Sequence, residues 1–96
     1  HNIYPEEIED VLNTYPYVAE SLIVERGNDL VALVYPDMER VTAEELSVDA
    51  LQAVMDKNRK KLNKTLPVYS QISKITLQAE EFEKTPKKSI KRFLYQ

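Results

Sequence analysis

The chain has 96 residues, 43% apolar and 30% charged, with a formal net charge of −3 and no cysteine. This is the composition of a folded globular domain near the lower size limit for one core, too small to enclose a deep pocket or to make a complete two-substrate enzyme. It excludes disulfides, thiol nucleophiles and thiolate metal sites, fits a reducing cytoplasm, and shows neither a membrane-spanning run, a signal peptide nor the basic field of a non-specific nucleic-acid binder.

His1 is the only histidine, so neither a histidine metal cluster nor a Ser/His triad can form, and whether it is native or added is open. In Tyr4-Pro5-Glu6-Glu7-Ile8-Glu9, a proline suited to the first helical turn and acids suited to its positive end predict a helix start. Ile8, Val11, Leu12 and Tyr15 then recur as one apolar stripe until Pro16 ends the run. Val18–Glu25 and Leu30–Tyr35 are rich in β-branched and apolar residues and flank Gly27-Asn28-Asp29, a hairpin signature. The second of these strands is apolar throughout, which places it at the centre of its sheet with both faces covered and the first strand to one side.

Thr42 and Glu45 have capping-box spacing, and Leu51, Val54, Met55, Asn58 and Leu62 mark the buried face of a helix running to about Lys64, whole or broken near Ser47. Its other face carries Lys57, Arg59, Lys60, Lys61 and Lys64, either a solvated face or a docking surface. After Leu66-Pro67, Ile72–Ala79 reads as a third strand, followed by the acidic step Glu80-Glu81-Phe82-Glu83. Gly27 is the only glycine, so there is no glycine-rich phosphate loop, and no internal repeat is present. The expected fold is α+β: a small, mostly antiparallel three-stranded sheet with helices packed against it, plus a short C-terminal helical tail.

That tail, Lys84–Arg92, holds five cations in nine residues. Pro86 is expected to open a helix into Phe93 and Leu94, on which Lys87 and Lys91 share one face and Lys88 and Arg92 the next. A lysine at the edge of a closed site neutralises charge on a phosphoryl or carboxylate oxygen, an effect of several kcal/mol once water is excluded. The plainer readings are a solubilising terminus docked through Ile90, Phe93 and Leu94, or a nucleic-acid tail, which the adjacent acids and the lack of interleaved aromatics disfavour.

Asn2-Ile3-Tyr4-Pro5-Glu6-Glu7-Ile8-Glu9, Leu66-Pro67-x-Tyr69, and Lys84-Thr85-Pro86 with Ile90-x-Arg92 resemble, in order and spacing, the C-terminal domain of adenylate-forming acyl-CoA ligases, nearest to bacterial long-chain fatty acid–CoA ligases. The resemblance implies that residues 1–96 are the small swivelling domain of a larger AMP-forming ligase, with a large N-terminal adenylation domain as partner. It implies ATP with Mg²⁺, a fatty acid and CoA as ligands of the full-length enzyme, none held tightly by this domain alone. In the reaction so implied, the carboxylate attacks the α-phosphorus of ATP, pyrophosphate leaves, and the CoA thiol then displaces AMP. The small domain offers its lysine-bearing tail in the first step and rotates for the second, bringing Asn2 and Ile3 to the CoA side.

The family tail reads Lys-Thr-x-x-Gly-Lys-Ile-x-Arg. Aligned on Lys84, Thr85, Ile90 and Arg92, it puts Lys88 at the glycine and Ser89 at the catalytic lysine. Lys88, one position earlier, or Lys91, two later, is then expected to reach the phosphate, with Lys88 favoured. The chain opens just after the family's hinge, so the fragment is expected to be inactive alone. Two other readings accompany this one: an acyl–acyl-carrier-protein ligase domain, and a non-catalytic interaction module, which Ser89 at the lysine position favours.

Overall fold

The computed structural model describes residues 2–96; His1 lies outside the described residues. Helix α1 (Pro5–Leu12) begins where expected, with Pro5 in its first turn beside Glu6 and Glu7. Its buried face is Ile8, Glu9 and Leu12. Val11, expected in the apolar stripe, is 42% exposed, while Glu9 is only 6% exposed. The helix is thus rotated toward Glu9, for which the fold supplies polar partners.

Strands β1 (Val18–Arg26) and β2 (Asp29–Pro36) pair antiparallel across a two-residue connection, with a register shift between Val18 and Glu20. Gly27 takes φ +65°, the left-handed conformation such a connection needs and glycine adopts without strain. β2 is the central strand, as its unbroken apolar run predicted. Leu30, Ala32 and Val34 enter one apolar cluster, and Val31 and Leu33 enter the other.

Asp37, not Thr42, starts the next helical element, accepting a hydrogen bond from the Arg40 N–H at 3.3 Å to cap α2 (Met38–Ala43). The Thr42/Glu45 spacing is therefore not a helix start: Thr42 lies inside α2, and Glu45 takes φ +52° in the break that follows. The break falls near Ser47, whose hydroxyl oxygen accepts from the Ala50 N–H at 3.1 Å and opens α3 (Val48–Asn63). Leu51, Met55, Asn58 and Leu62 form its buried face. Asn58 belongs there because its carboxamide donates to the Pro16 carbonyl at 3.0 Å. Lys57, Lys60, Lys61 and Lys64 are exposed.

The last residue of α3 then sets the next strand. Asn63 Oδ1 accepts from the Ile72 N–H at 2.8 Å, and its Nδ2 donates to the Ile72 carbonyl at 2.9 Å. After a 3₁₀ turn at Val68–Ser70, β3 (Ile72–Leu77) pairs with β2 in parallel. The sheet is thus mixed, antiparallel in its longer β1–β2 ladder and parallel at β3, because α2 and α3 together form the crossover that a parallel connection needs. The helices cover one face through Ile8, Leu12, Val41, Leu51, Met55 and Leu62. The segment after β3 straps across the other, placing Phe82, Ile90 and Tyr95 on Leu22, Val24, Val31 and Leu33. No helix among the described residues is long and apolar enough to cross a membrane.

Candidate functional site

The cationic tail is a small hairpin. Lys84 and Ile90 form an antiparallel bridge, the Thr85 N–H donates to the Ser89 carbonyl at 2.8 Å, and the Lys88 N–H donates to the Thr85 carbonyl at 2.8 Å. Pro86 therefore opens a turn and not the expected helix, so the pairing of Lys87 with Lys91 and of Lys88 with Arg92 along helical faces does not form. Proline's fixed φ suits the second position of a β-turn as well as a first helical turn, and Thr85 decides between them. Its carbonyl accepts from Lys88 and its Oγ1 accepts from the Ser89 N–H at 3.3 Å, closing the loop. Helical geometry in the tail is confined to one 3₁₀ turn, Arg92–Leu94.

Lys88 closes this turn with φ +66°. A side chain in the left-handed region costs about 1–2 kcal/mol, a cost glycine escapes. It is the conformation that a glycine at this position would adopt without that cost.

The hairpin's two ends are fixed by carboxylates. At its start, the Lys84 ammonium pairs with Glu20 Oε2 of β1 at 2.7 Å and also donates to the Phe82 carbonyl at 3.3 Å. The hydrogen bond to Glu20 holds the Lys84 pKa above the usual lysine range. At its end, the Arg92 guanidinium pairs with Glu9 Oε1 of α1. The other oxygen of Glu9 accepts from the Ile23 N–H of β1 at 2.8 Å. Glu9 thereby satisfies both its oxygens, the condition for burying a carboxylate without a large penalty. Two further ties hold the strap: the Glu83 N–H donates to the Tyr95 hydroxyl at 2.8 Å, and the rings of Phe82 and Tyr95 meet edge to face with centroids 5.1 Å apart.

Of the five tail cations, Lys84 and Arg92 are thus structural. Lys87 and Lys88 are exposed at the tip, and Lys91 is half-buried at the base, its N–H donating to the Glu83 carbonyl at 2.8 Å. Among the described residues no ion pair engages these three lysines. Ser89 is exposed and borders a cleft of about 280 Å³ shared with Glu6, Asp10, Asn13 and Arg92. The acids make that cleft a poor seat for a phosphate, and the tip a better one. Asn2 is exposed on the segment before α1, its Nδ2 3.5 Å from the Tyr4 hydroxyl; it does not line this cleft, whereas Ile3 packs on the core.

Glu9 and Glu20 are the site residues that sequence reasoning missed. Glu9 was legible in the sequence as a favourable charge early in a helix and as the last residue of the opening motif, and its place next to Ile8 at the margin of the apolar stripe was the one hint of burial.

Residues 1–95 match the sequence model of the AMP-binding enzyme C-terminal domain. Among solved structures, the chain is similar to the adenylation domain of a carboxylate reductase from Mycobacterium chelonae (TM-score 0.80, 17% identity, covering 96% of this chain and 16% of that one). It is also similar to the fatty acyl CoA synthetase of Mycobacterium tuberculosis (TM-score 0.67, 23% identity, 98% and 17%). A third is the A-PCP didomain of a carboxylic acid reductase from Segniliparus rugosus in complex with AMP (TM-score 0.71, 16% identity, 94% and 14%). The chain therefore spans only 14–17% of the length of these three proteins. A comparison with curated protein sequences gives no match. With a fold similar to parts of these larger chains and a family match running almost end to end, the chain belongs to the family of AMP-binding enzyme C-terminal domains.

Proposed function

We propose that this is the mobile C-terminal domain of an ATP-dependent, AMP-forming fatty acid–CoA ligase, carried on the same chain as a large N-terminal adenylation domain and working in the cytoplasm. The family match and the similarity to a fatty acyl CoA synthetase support this reading. The observation that carries it is the hairpin, whose ends are fixed by Glu20 and Glu9 and whose exposed tip presents Lys87 and Lys88. Presented at the mouth of a closed site, such a tip offsets the negative charge that grows on the phosphoryl oxygens of ATP as the carboxylate attacks and pyrophosphate leaves. ATP, with its Mg²⁺, sits mainly on the large domain in this reading.

Lys88 is the favoured cation, being exposed beside Ser89, with Lys91 the alternative from the base of the hairpin. The domain then rotates so that the segment around Asn2 borders the CoA thiol's approach. The test is AMP release by the full-length protein supplied with ATP, a fatty acid and CoA. Lys88→Ala is expected to slow adenylation by about 10²- to 10³-fold, and Lys91→Ala by less than tenfold. A protein that activates no carboxylate refutes the ligase reading, and replacing CoA with a carrier protein identifies the acceptor.

The exposed serine at the family's lysine position favours one second reading, a domain that kept the fold and serves as an interaction module. That reading prevails if neither lysine substitution slows adenylation.

A further inference from the structure

The hairpin's own hydrogen bonds, the Lys84–Ile90 bridge and the contacts of Thr85 with Lys88 and Ser89, fix its shape but not its direction relative to the domain. Phe82 and Ile90 seat its base on the sheet, and the two ion pairs fix its direction at either end. Arg92 is held by a carboxylate whose second oxygen is bonded to the backbone of β1, so the hairpin's exit is referenced to the sheet itself through Glu9. Its entrance is referenced to the same strand through Glu20 and Lys84. A loop tethered at one end can pivot, whereas one held at both ends by different carboxylates cannot. A buried ion pair adds little stability over well-packed apolar residues in general, so the Glu9–Arg92 pair is of interest for the geometry it imposes.

We infer that Glu9 and Glu20 are positioning residues that hold the Lys84–Arg92 hairpin as a fixed arm, so that its tip cations travel with the domain as one rigid body. The arm's use in adenylation rests on the function proposed above; its rigidity does not.

Limited trypsin digestion of the full-length protein, with fragments identified by mass, reads the rigidity directly, because Lys87 and Lys88 are exposed tryptic sites on the arm. Arg92→Gln and Glu9→Gln each release the exit; Glu9→Gln keeps an oxygen for the Ile23 N–H and leaves no uncompensated buried carboxylate, so it spares the fold if Arg92→Gln does not; Glu20→Gln releases the other end. Each is expected to speed cleavage after Lys87 and Lys88 about tenfold while cleavage after Lys57, Lys60 and Lys61 on α3 keeps its wild-type rate. Unchanged cleavage at the tip, or equal acceleration at all these sites, overturns the clamp. In the same preparations, kcat for acyl-AMP formation is expected to fall at least tenfold with KM for ATP unchanged, and Arg92→Lys, which restores a cation facing Glu9, is expected to recover part of the loss. Accelerated cleavage with unaltered kcat overturns the positioning role. A wild-type protein that forms no acyl-AMP brings down the ligase reading instead, and the digestion still decides the clamp.

Discussion

Replacing Asn63 by alanine tests how the end of α3 commands the start of β3. The carboxamide makes two hydrogen bonds to a single residue, accepting from the Ile72 N–H and donating to its carbonyl, and Ile72 is only 1% exposed. A typical net hydrogen bond contributes about 0.5–1.5 kcal/mol, and a peptide group left unpaired away from water costs about 1–3 kcal/mol, so Asn63→Ala is expected to cost about 2–4 kcal/mol. A domain of this size has about 5–15 kcal/mol in total. With a urea m-value of about 1–2 kcal/mol/M, the unfolding midpoint should fall by roughly 1–4 M at unchanged m. Asn63→Asp keeps the acceptor but turns the donor into an anionic oxygen facing the Ile72 carbonyl, and at neutral pH it should be no better than alanine. An alanine variant whose midpoint lies within about 0.3 M of wild type, a loss well under one hydrogen bond, would refute the idea that this carboxamide anchors the strand.

Lys88→Gly removes the left-handed strain at φ +66° and should raise stability by about 0.5–1 kcal/mol after the added freedom of the unfolded chain is counted, seen as a higher Tm; a lower Tm contradicts the turn described here. Phe82→Ala, at a residue 3% exposed and edge-on to Tyr95, should cost about 3–5 kcal/mol by denaturant titration, and a loss below about 1 kcal/mol would show that the strap does not seal the second apolar cluster. The pH profile should have two shoulders. Glu44, its pKa lowered by hydrogen bonds from Tyr17 and Arg40, and Asp56, lowered by hydrogen bonds from Arg59 and Lys60, are both depressed in the folded state. Their contributions are present above the ordinary carboxylate range and lost as pH falls through the folded values. Tyr17, raised by its hydrogen bond to Glu44, and Lys84, raised by Glu20, contribute below about pH 10 and are lost as pH rises through their folded values. The ultraviolet titration of Tyr17, isolated by comparison with Tyr17→Phe, checks the alkaline shoulder: a midpoint at or below that of free tyrosine contradicts the assignment.

Local signals made much of the fold readable. The unbroken Leu30–Tyr35 run beside a turn signal pointed to a strand covered on both faces, Pro5 marked the start of α1, and the α3 stripe came through because even its polar member, Asn58, finds a partner at Pro16. Signals that two structures share misled. Pro86 serves a helix start and a turn equally well, and the left-handed backbone at Lys88 cannot be seen in a residue that is not glycine. Thr42 and Glu45 have cap spacing but lack the cap, since Asp37 and Ser47 supply the oxygens. The parallel pairing of β3 follows from the crossover and not from any property of Ile72–Leu77. The clamp was least accessible of all: Glu9 and Arg92 stand 83 residues apart, and no periodicity links positions so distant.

The strap on the second face of the sheet also bears on how the protein is made. Leu22, Val24, Val31 and Leu33 are synthesised early, yet their cover of Phe82, Ile90 and Tyr95 follows only after all three strands have been made. At a translation rate of about 5–20 residues per second, the stretch from Leu77 to Tyr95 takes about 1–4 s to add. Until it has been added and has emerged, Leu22, Val24, Val31 and Leu33 lack the side chains that cover them. The segment that carries the tip lysines is therefore also the one that ends the domain's exposure to aggregation, and truncations or frameshifts within it should be met by chaperones and proteases before any effect on chemistry is felt.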